Sequence, residues 1–171
     1  MDAIKLLQSH LQSAHWVFET TSADVSEESA HSGPQGAAGT VGSQMAHLVY
    51  DEDLIVNGML LGKAPLAAST FAGKTGISDP QMAVSQDWAK TVRLNLPEFR
   101  EYQKAVFAAT DAYTASLNES DLDRELDMTS MGMGTQNLGW AFGVLIIGHA
   151  NNLAGEISAL KGAQGLKGYP F

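Results

Sequence analysis

The chain has 171 residues and is 44% apolar, enough for a single domain with its own core, since folding at this size hides roughly 70% of the unfolded surface. Acidic residues outnumber basic ones 19 to 10, and the net charge of -9 argues against nucleic acid and anionic membrane surfaces as partners. The absence of cysteine excludes disulfides, thiolate metal ligands and a protein-borne thiol nucleophile, and it fits a cytoplasmic protein.

The N-terminus, MDAIKLLQSH, lacks the pattern of a secretory signal, and the apolar stretch at 140–147 is too short to span a bilayer. From Ile4 the apolar residues recur at Leu7, Leu11, Ala14 and Phe18, which predicts a first helix to about Thr21. On this helix His10 and His15 read as flank residues rather than ligands. Ser, Gly and Pro gather over 26–42, a loop in which His31 has no companions.

A second helix is expected over about 43–61, with Met45, Leu48, Val49, Ile55, Val56, Met59 and Leu60 on one wide arc, and Gly62 and Pro65 ending it. His47 and Asp51 lie four apart on one face of this helix. Glu52 falls at the centre of the apolar arc, about 140° round from His47. A carboxylate there must be paired or lie at an interface. Residues 63–85 form a long crossover with a short helix near Trp88, and the GKTG at Gly73 is a loop because no strand precedes it.

The third helix has clear punctuation: Asn95 caps it, Pro97 and Glu98 suit its first turn, and helical spacing continues to about Leu117. A second connection contains Met128, Met131 and Met133, which read as packing residues rather than Cu(I) ligands. The fourth helix runs from about Asn137 to Leu160, with Gly162 at its expected left-handed cap. The terminal Tyr169, Pro170 and Phe171 are expected to dock on the body. No strand alternation, repeat or domain boundary appears. Residues 1–171 therefore read as one all-α four-helix bundle with a long crossover between helices two and three.

Winding helix four at 100° per residue places Leu138, Phe142, Leu145, Leu153, Glu156 and Leu160 within about 40° of His149. His149 and Glu156 then stand in an apolar face and need a partner, water, metal or ligand.

Three segments carry a family resemblance: VGSQMAHLVYDEDLIVNGMLLGKAPL, residues 102–111, and GHANNLAGEISALKGAQGLKGYPF. Together they resemble the DinB-like superfamily of bacterial four-helix bundles over nearly the whole chain. The resemblance implies a divalent-metal site in the bundle cleft, built in that family from one histidine on helix two and an HxxxH pair on helix four. His47 and His149 match two of these ligands, whereas Leu153 occupies the third position. Asn152, Glu156 and Glu52 are further polar residues of the expected cleft.

Two outcomes follow. Either Asp51 supplies a third donor, or the apolar neighbours close over an empty, degenerate site, so a Zn or Ni ion would be weakly bound or absent. No residue stands out as catalytic and no organic cofactor is indicated. The resemblance implies a homodimer and a small-ligand-binding or structural module. The alternative is a metal-dependent transferase using a low-molecular-weight thiol, whose sulfur a cation would activate.

Overall fold

The computed structural model describes residues 2–33, 39–82 and 85–171. The first helix, α1 (Ala3–Ser22), starts where Asp2 accepts a hydrogen bond from the Lys5 amide at 2.8 Å. It buries the predicted stripe of Leu11, Ala14 and Phe18, and His15 lies in that same stripe. The expected loop contains a short helix, α2 (Glu27–His31), closed by a capping box between Ser26 and Ser29. Residues 34–38 of that loop lie outside the described residues.

A second capping box, Thr40 with Ser43, opens α3 (Val41–Asp53), which continues into a π-helical segment, Leu54–Leu60. Gly62 has φ 63° and ends the rod as expected. The crossover contains a 3-10 turn, Leu66–Ala68, then an isolated antiparallel bridge between Ile77 and Leu94, and then α4 (Gln86–Thr91) around the buried Trp88. Gly76 has φ 70°, and a Cβ there would collide with the backbone of Asn95 and Phe99. Its carbonyl accepts from the Asn95 amide at 2.8 Å, which pins the crossover to the start of α5 (Leu96–Ala115). Asn95 caps α5 through the Glu98 amide at 3.3 Å.

The second connection differs from expectation. It holds a two-stranded antiparallel hairpin, β1 (Glu125–Asp127) with β2 (Thr135–Asn137). Strands of three residues are too short to show an alternating pattern. Asn137 then caps α6 (Leu138–Ala141) through the Trp140 amide at 2.7 Å. The rod passes through a second π-helical segment, Phe142–Gly148, into α7 (His149–Ala163). Gly162 remains inside α7; the left-handed residue is Gly165, and the Leu166 amide bonds back to the Lys161 carbonyl at 2.9 Å.

The protein is predominantly helical. Helix α1 packs on α5 and α7, and α3 packs on the same two helices, so every long helix has two long neighbours. One core cluster includes Phe18, Met45, Phe99, Tyr102 and Ile157. Each such buried side chain contributes about 1.5–3 kcal/mol of apolar transfer. A second cluster, with Leu11, Val56, Leu138, Phe142 and Ile146, surrounds the π segments. The C-terminal aromatics, expected to dock on the body, touch it only at the surface: Phe171 stacks on Trp16 at 6.0 Å yet stays 76% exposed. Among the described residues no helix is long and apolar enough to cross a membrane.

Candidate metal centre

The acidic run Asp51, Glu52 and Asp53 ends α3, and successive residues of a helix point about 100° apart. Each carboxylate therefore enters a different neighbourhood, and all three residues are buried. Asp51 faces α7, Glu52 faces α1 and α5, and Asp53 faces α5 and the crossover.

On the first of these faces, His47 on α3 meets His149, the first residue of α7. Their Nε2 atoms are 3.3 Å apart, and the rings are edge-on at 78°. The second π segment ends at Gly148, immediately before His149, and the first begins just after Asp53. Such segments shift helical register and recur beside functional residues. Asp51 Oδ2 lies 3.3 Å from His47 Nδ1. That approach lacks hydrogen-bond geometry, and among the described residues the buried His47 Nδ1 and Asp51 Oδ1 have no hydrogen-bond partner. Burial of bare polar atoms costs about 1–3 kcal/mol each, which makes two orphans in one cluster informative.

The donor set suits a cation. Two imidazoles bound tetrahedrally to zinc at about 2.0–2.1 Å have nitrogens about 3.3–3.4 Å apart, the separation observed here. Donor atoms of His47, Asp51 and His149 all lie within 4.8 Å of one another, and the group could hold a metal ion. Burial, and then the neighbouring His47, push the His149 imidazole below its ordinary value of 6.5, against the opposing fields of Asp51 and Glu52. A depressed imidazole is neutral, the form that ligates.

The pair opens on a cleft of about 350 Å³ whose other walls include Gln44, Trp88, Asn152, Leu153 and Glu156. Leu153 is buried and offers the ion no lone pair. His149 is half-buried, and Glu156 is exposed at the cleft's edge rather than set in an apolar face, because that side of α7 faces the opening instead of the core. Asn152 is likewise exposed.

Glu52 is paired, as its setting requires. His15 Nε2 lies 3.0 Å from Oε1 and 3.1 Å from Oε2, and the Thr110 hydroxyl donates to Oε1 at 2.6 Å. It belongs to this separate network and not to the His47 cleft, and its apolar setting needs no second subunit. His15 is thus a buried core residue rather than a flank residue. Its place between Ala14 and Phe18 on the apolar stripe of α1 was the available signal. His10 is exposed as expected. His31 has companions after all: its Nε2 accepts from the Leu94 amide at 2.9 Å, and Glu27 is 3.9 Å from Nδ1. The pairing with Leu94 spans 63 residues, a separation that leaves no local trace in the sequence.

Fold and site together define an all-α protein with a His–Asp–His group suited to a metal ion. The chain matches no protein-family model and no curated protein. Among solved structures it is similar to the crystal structure of a conserved protein from Enterococcus faecalis, with a TM-score of 0.79 and 22% identity over 94% of this chain and 96% of that one. That likeness is one of fold alone.

Proposed function

We propose that the protein is a DinB-like four-helix bundle that binds a divalent cation through His47 and His149, with Asp51 as the third donor. Its cleft then acts as a binding module for a small ligand. The observation that carries this reading is the 3.3 Å approach of the two Nε2 atoms across α3 and α7. The orphaned Asp51 Oδ1 supports the carboxylate as the replacement for the donor that Leu153 lacks. A set of two imidazoles and one carboxylate suits several divalent metals, zinc and nickel among them.

Metal analysis of protein purified without chelator, followed by zinc and nickel titration, tests the reading. The wild type is expected to bind one equivalent, and His47→Ala and His149→Ala are expected to bind none. Loss of an outer-shell carboxylate typically costs about 10–100-fold in affinity, so Asp51→Ala should exceed that range if Asp51 is a ligand. A metal-free wild type that takes up no zinc or nickel would sink the proposal.

A second reading, a transferase using a small thiol, is favoured by the cleft beside the histidines and by the absence of any competing cysteine. A bound cation would lower the pKa of a coordinating thiol and expose a thiolate to the cleft. Cobalt-loaded protein should then develop a thiolate-to-cobalt charge-transfer band on addition of glutathione. An unchanged spectrum removes this reading and leaves the first intact.

A further inference from the structure

His31 closes α2, and its ring makes a contact that only one protonation state allows. Leu94 pairs with Ile77 through its neighbours: the Ser78 amide donates to the Arg93 carbonyl at 3.0 Å, and the Asn95 amide to the Gly76 carbonyl at 2.8 Å. The Leu94 amide takes no part in that bridge and donates to His31 Nε2 at 2.9 Å. A backbone N–H can only donate, so Nε2 is bare and the neutral ring carries its proton on Nδ1, which faces Glu27 Oε2 at 3.9 Å. Leu94 is 3% exposed, so little water can replace the imidazole as acceptor. Glu27, four residues earlier on α2, accepts from the Leu96 amide through Oε1 at 3.2 Å. Two side chains of one short helix thus hold the strand that leads into α5.

A second proton on the ring reverses the His31 contact. It occupies Nε2, two donors then face each other, and a buried backbone N–H loses its acceptor. The imidazolium also draws on Glu27, in competition with the Leu96 amide. The other charged groups nearby are engaged or exposed. The Arg93 guanidinium donates to the Lys90 and Val92 carbonyls at 2.9 Å, and Glu98 of α5 is exposed. On α7, which meets α2 through Gln164, Lys161 is paired with Asp24, and α3 meets α2 at the uncharged Gly42. The held strand directly follows α4, and Ser85, Gln86, Trp88 and Ala89 of that helix and its cap line the His47–His149 cleft.

We propose that His31 is a proton-operated latch on the wall of that cleft. With Nε2 bare it holds Leu94, and through it α4, against α2; with Nε2 protonated it lets go. The latch shares no residue with the metal group, so its fate is independent of the metal reading.

The test follows the full chain by NMR at pH 7.5 and 5.5, with each exchange rate taken relative to an unstructured chain at the same pH. At pH 7.5 the ¹H–¹⁵N correlations of His31 should show the proton on Nδ1. At pH 5.5 the Leu94 amide should lose protection about tenfold or more. The Trp88 indole N–H, which donates to the Asp79 carbonyl at 2.7 Å, should lose protection with it. His31→Gln places an amide oxygen where Nε2 was, an acceptor at either pH, and its Leu94 amide should change less than about twofold. His31→Ala should show the open level of exchange at both pH values. A proton on Nε2 at pH 7.5, equal Leu94 protection at the two pH values, the same loss in His31→Gln, full protection in His31→Ala, or a Trp88 indole that stays protected while Leu94 opens would each overturn the proposal.

Discussion

Asp51 and Asp53 stand two positions apart on the same helix, both buried, yet their surroundings are opposite. Asp53 accepts from the Tyr102 hydroxyl at 2.7 Å, from the Asn57 amide at 2.9 Å, and from the backbone amides of Leu66 and Ala67 at 2.8 Å. It ties the crossover to α3 and α5; burial, and then the Asp53 field, push the Tyr102 phenol far up, so that phenol stays a donor. Among the described residues Asp51 has one buried oxygen without a hydrogen-bond partner, beside a histidine nitrogen in the same condition. A carboxylate with every lone pair engaged is part of the framework, whereas one with a buried oxygen left unpaired is free to accept from a ligand or an ion.

The largest effect should come from the framework side. Asp53→Ala orphans a phenol, a side-chain amide and two backbone amides at once, and is expected to cost about 3–5 kcal/mol in urea unfolding. A loss below about 1 kcal/mol would break the contrast with Asp51. The next effect completes the other side. Leu153→His adds an imidazole beside His149 and should tighten zinc binding by about 100-fold, or about 2.7 kcal/mol, in competition with a chromophoric chelator. If affinity does not rise, residue 153 does not face the ion. A smaller effect sharpens the comparison directly: in metal-free protein, Asp51→Ala should change stability by less than about 1 kcal/mol, because it removes a group that makes no hydrogen bond through Oδ1.

The parts of this molecule legible in its sequence are those written locally. The stripe from Leu11 to Phe18, the Asn95 cap, the start of the fourth helix near Asn137 and the Gly62 stop all depend on neighbours within a turn or two, and the structure has each of them. Four-residue spacing placed His47 and Asp51 on one face, and resemblance to a family joined them to His149. What stayed hidden is long-range. The π segments shift register without a residue-type signal of their own. Glu156, seven residues after His149 in the regular α7, is exposed because that side of the helix lines the cleft, which depends on how α3 and α7 pack. Glu52 announced that it needed a partner, but His15, 37 residues away, could be named only once α1 and α3 were packed.

The smallest expected effect is one of pH, and its sign separates the two carboxylate neighbourhoods once more. Because burial and His47 hold the folded His149 imidazole below 6.5, the unfolded chain takes up that proton more readily than the folded one. The stability this contributes is present in full above about pH 6.5 and is lost as the pH falls through the folded value. Carboxylates also begin to titrate near pH 5, so the informative quantity is a difference. Urea midpoints of metal-free wild type and His149→Gln, compared between pH 7.5 and 5.5, should show a steeper decline in the wild type. Zinc should suppress that decline, since the ion binds only the neutral ring and draws the equilibrium toward it. Asp53→Asn should lower stability at both pH values without altering the difference, since Asp53 is not among the groups that set the His149 shift. Parallel declines in wild type and His149→Gln would mean that His149 is protonated with little penalty, and that the face shared by α3 and α7 is an ordinary wet cleft.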